Sequence, residues 1–161
     1  MKEKDDMQNT ELQYDSVIIA EYMLSLAYNK RIVLNVTKVQ KLLYIAYGYF
    51  LAVEDRHIST EAPKAWPYGP VFPRTRKKVD YSNILPLDDP KFNEIKKDKK
   101  LSLKLEQIID TYAGYSASQL SDWSHMKGGP WERTKELKDF KWGVTQISDE
   151  FIMDYFTDLN I

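Results

Sequence analysis

The sequence predicts a mainly α-helical, single-domain bundle with a proline-rich strap and at most a small two-stranded β element. Three observations predict it. Apolar residues recur at three- and four-residue spacing over several stretches, the period of a helix with a buried face. Capping residues stand before those stretches, and glycine or proline follows several of them. Four of the seven prolines crowd between Ile58 and Pro73, where neither a helix nor a central strand can run. A length of 161 residues supports one core and is too short for two comfortable ones.

Each element follows in order. Residues 1–13 are polar and mixed in charge and are expected to form a flexible leader, with the domain over 14–161. Asp15 caps a helix that begins SVIIAEYMLSLAYNK and is apolar on nearly every side, so burial is expected all round it. A second helix starts from Asn35 as cap or from a Thr37–Gln40 capping box. Val39, Leu42, Leu43, Ala46, Tyr49, Phe50 and Val53 give it one broad apolar face, with Lys38, Lys41 and Gly48 opposite, and it should end near Asp55. PKAWPY fits a short edge strand and RTRKKVDY a brief helix, while 82–100, with Pro86, Pro90 and KKDKK, reads as an exposed excursion. Leu101, Leu105, Ile108, Ile109 and Tyr112 mark a helix closed by Gly114. Ser116 and Gln119 form a capping box for the next helix, which runs toward His125, and Pro130 suits the first position of the one after it. Alternation at Trp142, Val144 and Gln146 predicts a short strand, and Ser148 or Asp149 caps a last helix bearing Phe151, Ile152, Tyr155 and Phe156.

Composition removes several function classes. With 23 basic against 24 acidic residues, the net charge of −1 supplies no general attraction for nucleic acid, which would need a local patch. The absence of Cys leaves no disulfide framework and no thiolate zinc site. No apolar run approaches the length of a membrane span and no secretory signal is evident, so a soluble cytoplasmic protein is expected.

The densest motif is AWPYGPVFP, residues 65–73: three prolines, Gly69, Trp66, Tyr68 and Phe72 in nine positions. Proline fixes φ and removes donors, and Gly69 permits a corner other residues resist, so the stretch is a rigid irregular strap. Its aromatics either plug the ends of the first two helices or present a prearranged contact surface, since Trp and Tyr are preferred interface anchors. SHMKGGPW, residues 124–131, is the second. Asp122 and His125 share a helix at metal-ligand spacing, but with no second His nearby the pattern falls short of a metal site, and a hydrogen-bonded His at a helix end explains it. Only His57 and His125 are available as imidazole bases, and no nucleophile elbow, Walker loop or dinucleotide fingerprint is present. The first two helices do not suit a helix-turn-helix either. Their link is long, and Leu42, Leu43, Tyr44, Ile45 and Tyr47 stand where a recognition helix is polar.

Three stretches together, VQKLLYIAYGYFLA (39–52), APKAWPYGPVFP (62–73) and LSDWSHMKGGPW (120–131), resemble the Panacea domain, the SocA-like antitoxin family of bacterial and phage toxin–antitoxin systems. Their order and spacing match the family's helix, strap and turn over about residues 15–158. Val39 replaces the usual Leu, Ser124 stands where Thr is common, and Arg74 to Lys78 lack an aromatic often seen there. The resemblance implies an antitoxin, without cofactor, metal or catalytic residues, that neutralises a cognate toxin encoded nearby by direct binding. Two alternatives remain: a proteolytic adaptor with a protease partner, or a DNA-binding autoregulator. A small-molecule substrate and a membrane partner are not expected. Tyr44, Tyr68 and Phe72 are the expected anchors, with Lys41 and Arg74 at the rim. Gln40, Leu42, Leu43, Trp66, Gly69, Pro70, His125, Pro130 and Trp131 are expected to hold the fold.

Overall fold

Asp15 accepts the Val17 N–H at 2.9 Å and opens α1 (Ser16–Asn29). Asn35, rather than a Thr37 box, caps α2 (Val36–Glu54), and Asp55 closes it in the left-handed conformation. These and the following elements belong to a computed structural model that describes residues 12–159. The proposed leader 1–13 therefore lies largely outside the described residues. At its described end, Leu12 O accepts from Arg56 Nε at 3.1 Å.

After α2 the chain forms an antiparallel pair, β1 (Lys64–Trp66) and β2 (Gly69–Val71), in register Lys64↔Val71, Ala65↔Pro70 and Trp66↔Gly69. A brief helix α3 (Pro73–Lys78), a 3-10 turn (Pro90–Phe92) and α4 (Asn93–Lys97) lead to α5 (Lys99–Tyr112). Then come α6 (Ala117–Ser124) with its Ser116–Gln119 capping box, α7 (Pro130–Lys135) with Pro130 at its first position, and α8 (Asp149–Thr157) capped by Ser148. The architecture is a mainly helical single domain with one small two-stranded sheet.

The centre of the molecule is α2, which packs on α1, α5, α6, α8 and β2. Every residue from Val39 to Gly48 is buried. That corrects the two-faced picture of this helix: Lys41 and Gly48, expected on a solvent side, are enclosed because α8 and the strap cover it. The Gly48 Cα abuts the Phe156 ring, so the absence of a side chain is what lets α8 lie so close.

Two further expectations are corrected. Residues 142–146 form turns with one isolated bridge, Lys64↔Gln146, instead of a strand. They still bond to β1, with Ala65 N donating to Thr145 O at 3.0 Å and Gly143 N to Ala65 O at 2.9 Å. The alternating Trp142 and Val144 point outward, 46% and 65% exposed. The 82–100 excursion is anchored by Phe92 and Ile95, both in the core, with Phe92 against Tyr22 at 5.2 Å. Prolines and lysines masked two helical turns' worth of buried contacts there.

Asp98, at the head of α5, receives Leu101 N–H, the Arg56 guanidinium at 2.6 Å and the Tyr14 hydroxyl at 3.0 Å. The Arg56 and Asp98 side chains are only 2% and 8% exposed, so this ion pair ties the chain before α1, the end of α2 and the start of α5 inside the protein. Burial acts to raise the Asp98 carboxyl, but the Arg56 hydrogen bond and charge and the Leu101 amide hold it below the usual carboxylate value.

Candidate functional site

The three sequence motifs, up to ninety residues apart, meet at the strap. Main-chain groups of the strap are bound by side chains from the other two motifs. Gln40 Oε1 accepts the Phe72 N–H at 2.7 Å, and Lys41 Nζ donates to Pro70 O at 3.1 Å. From the third motif Ser121 Oγ donates to Tyr68 O at 3.0 Å, and Trp131 Nε1 to Trp66 O at 2.7 Å. The strap is short and irregular, so its buried polar atoms need such partners.

Gly69 turns the corner with φ +114°, and a Cβ there would lie 2.6 Å from Ser124 Oγ and 3.0 Å from the Lys41 side chain. Only glycine accommodates both the angle and the contact. Pro70 is buried behind it, and Leu42 and Leu43 are fully buried beneath. His125 ends α6 through its backbone N–H, while its ring stacks on Trp131 with centroids 4.1 Å apart. The ring Nε2 is buried without a partner among the described residues, while the Tyr68 main chain serves the ring as a hydrogen-bond partner. Burial first, then the nearby Lys41 charge, lowers the His125 pKa and favours the neutral ring.

The five expected contact residues separate. Tyr68, at the hairpin tip, is 73% exposed. Arg74 is exposed and paired with Asp15 at 2.5 Å. Tyr44 and Phe72 are buried, Tyr44 between Trp123 at 5.9 Å and Phe156 at 5.4 Å, and Phe72 against Tyr47 at 5.6 Å. Neither is a surface anchor, because α2 is central and its Tyr44 side is covered by α6 and α8. Lys41 is likewise inside, 1% exposed, and burial pushes its ammonium down to about 8. The all-apolar run 42–47 carried that information for Tyr44, but not for Lys41 or Phe72.

Residues not singled out as contacts complete the outer surface. The Arg76 guanidinium lies 5.4 Å from the Trp66 ring centre, and Arg76, Lys77 and Lys78 are all exposed on α3. Val144 and Trp142 flank the outer edge of β1, with Trp142 5.8 Å from Trp131. On another side, His57 Nε2 and Asp149 Oδ2 are 2.7 Å apart beside Tyr47 in a cleft of about 310 Å³. Among the described residues no hydroxyl is bonded to that imidazole; Ser59 Oγ donates to Glu61 O instead. Among the described residues no group of three or more His, Cys, Asp or Glu is placed to hold a metal ion, and no helix is long and apolar enough to cross a membrane.

A family model described as "Antitoxin SocA-like, Panacea domain" matches residues 39–132, the span that holds all three motifs. The chain belongs to the Panacea family. A curated Panacea relative, "Antitoxin SocA" of Caulobacter vibrioides (strain NA1000 / CB15N), is 29% identical over 159 residues, covering 88% of this chain and 82% of the relative. No solved structure matches the chain significantly. The Panacea motifs thus coincide with the residues that clamp the strap.

Proposed function

We propose that this Panacea protein is the antitoxin of a toxin–antitoxin pair and neutralises a cognate toxin by stoichiometric protein–protein binding, without bond-making chemistry. The observation that carries this proposal is the strap: a backbone clamped by side chains of two other motifs, with Tyr68 held out at 73% exposure. An aromatic on a rigid support loses little entropy on binding, the property of an interface anchor. The antitoxin name of the relative supports the same function. Tyr68 forms the centre of the contact and Arg74 its rim, with Trp142 and Val144 extending the apolar area.

The test is co-expression with the neighbouring open reading frame. The neighbour alone should arrest growth, and this chain should restore it and co-purify with the neighbour's product. Growth arrest that this chain does not relieve removes the proposal. Restoration that requires a protease and degradation of the neighbour's product identifies an adaptor instead.

A further inference from the structure

A cavity of about 220 Å³ opens where the first turns of α2 meet the strap, and Gln40, Lys41, Trp66, Tyr68 and Arg76 are among its walls. It exceeds the ~150 Å³ that suffices to enclose a benzene-sized group. Its chemistry is unusual for an interior. Lys41 is 1% exposed, its ammonium has one hydrogen bond, to Pro70 O, and among the described residues no carboxylate pairs with it. A buried ammonium without a counter-ion is costly, and the remaining two N–H donors call for an acceptor. Arg76 supplies a second cation at the mouth, held over the Trp66 ring and, among the described residues, in no ion pair. The exposed Lys77 and Lys78 beside it make the approach positive.

We propose that this cavity seats a carboxylate from an acidic side chain of the bound protein partner, between the Lys41 ammonium inside and the Arg76 guanidinium at the rim. The carboxylate supplies the charge that Lys41 lacks, and Arg offers it the planar fork that such groups fit. Tyr68 then covers the site from the hairpin tip, so the aromatic anchor and the ionic contact act as one surface. This rests on the protein-binding function proposed above, and names the chemistry that the partner must present.

The test has two arms. In the first, the full chain is titrated with N-acetyl-glutamate amide, with the neutral N-acetyl-glutamine amide, and with inorganic phosphate, while the amide signals of Trp66 and Gly69 are followed by NMR. The glutamate compound should give saturable shifts, weakened about tenfold in Arg76→Gln and in Lys41→Met, the size expected for losing one charge-assisted hydrogen bond. Arg76 is exposed, so Arg76→Gln serves if Lys41→Met fails to fold. Equal shifts with the glutamine compound, shifts indifferent to Arg76→Gln, or none at all overturn the proposal. Tighter binding of phosphate also overturns it and points to nucleic acid. In the second arm Arg76→Gln replaces the wild type in the growth assay. Failure of the wild type to rescue removes the antitoxin function, whereas equal rescue by both keeps that function and overturns the carboxylate contact.

Discussion

Gly69 carries more of the strap than any other residue, since its φ of +114° and its contact with Ser124 both exclude a side chain. Gly69→Ala should cost about 1–3 kcal/mol, the cost of holding a side chain in a strained backbone region. Chemical denaturation measures it, and an unchanged midpoint would mean the hairpin relaxes freely. Asp98 is the second residue of this kind. Asp98→Asn leaves the Arg56 guanidinium buried without its counter-ion and should cost about 3–5 kcal/mol. Acid reports the same group. The folded carboxyl titrates below its unfolded value near 3.9, so its stabilisation is present above that value and is lost as pH falls through the folded pKa. Wild-type stability should therefore fall below about pH 4 more steeply than that of Asp98→Asn. Gly69 was legible in the sequence as a Tyr-Gly-Pro corner. The Arg56–Asp98 pair was not, because 42 residues separate its partners and each alone looks like a surface charge.

At the scale of elements, α8 packs against α2 along a seam of Phe156 over Gly48, with Tyr44 and Trp123 around the ring. Phe156→Ala should destabilise the protein by about 3–5 kcal/mol, as for large aromatic truncations in a packed core. Thermal unfolding reads this, and a loss confined to exchange protection in α8 would show that α8 docks independently of the core. Helix ends were legible because caps are local: Asp15, Asn35, Ser116 and Ser148 each bond a backbone amide two or three residues on. The 142–146 strand was mispredicted for the complementary reason. Alternation there reflects Trp142 and Val144 facing out beside β1, and a period of two is also satisfied by turns that borrow an edge strand's hydrogen bonds.

For the whole molecule, the proposed function makes the strap divide stability from recognition. Trp131 is buried and its Nε1 donates to Trp66 O, Trp66 is half-buried under Arg76, and Tyr68 projects from the tip. Tyr68→Ala should leave the melting temperature within about 1–2 °C of wild type, since an exposed substitution usually costs under 0.5 kcal/mol, and weaken partner binding by 2 kcal/mol or more if Tyr68 is a hot spot. Calorimetry of the chain and of its complex separates the two effects. A fall in both together would make Tyr68 part of the fold. The sequence alone determined the helical class, the caps at Asp15 and Ser116, and the family, because each rests on neighbours in the chain or on short motifs in order. Tertiary structure alone decided which of the strap's aromatics meet water. Exposure depends on what packs above a residue, and the elements that bury Tyr44 and Phe72 while leaving Tyr68 outside come from distant parts of the chain. It also decided that Lys41 is an enclosed cation beside a cavity, since no local pattern distinguishes a lysine on a helix surface from one that another segment covers.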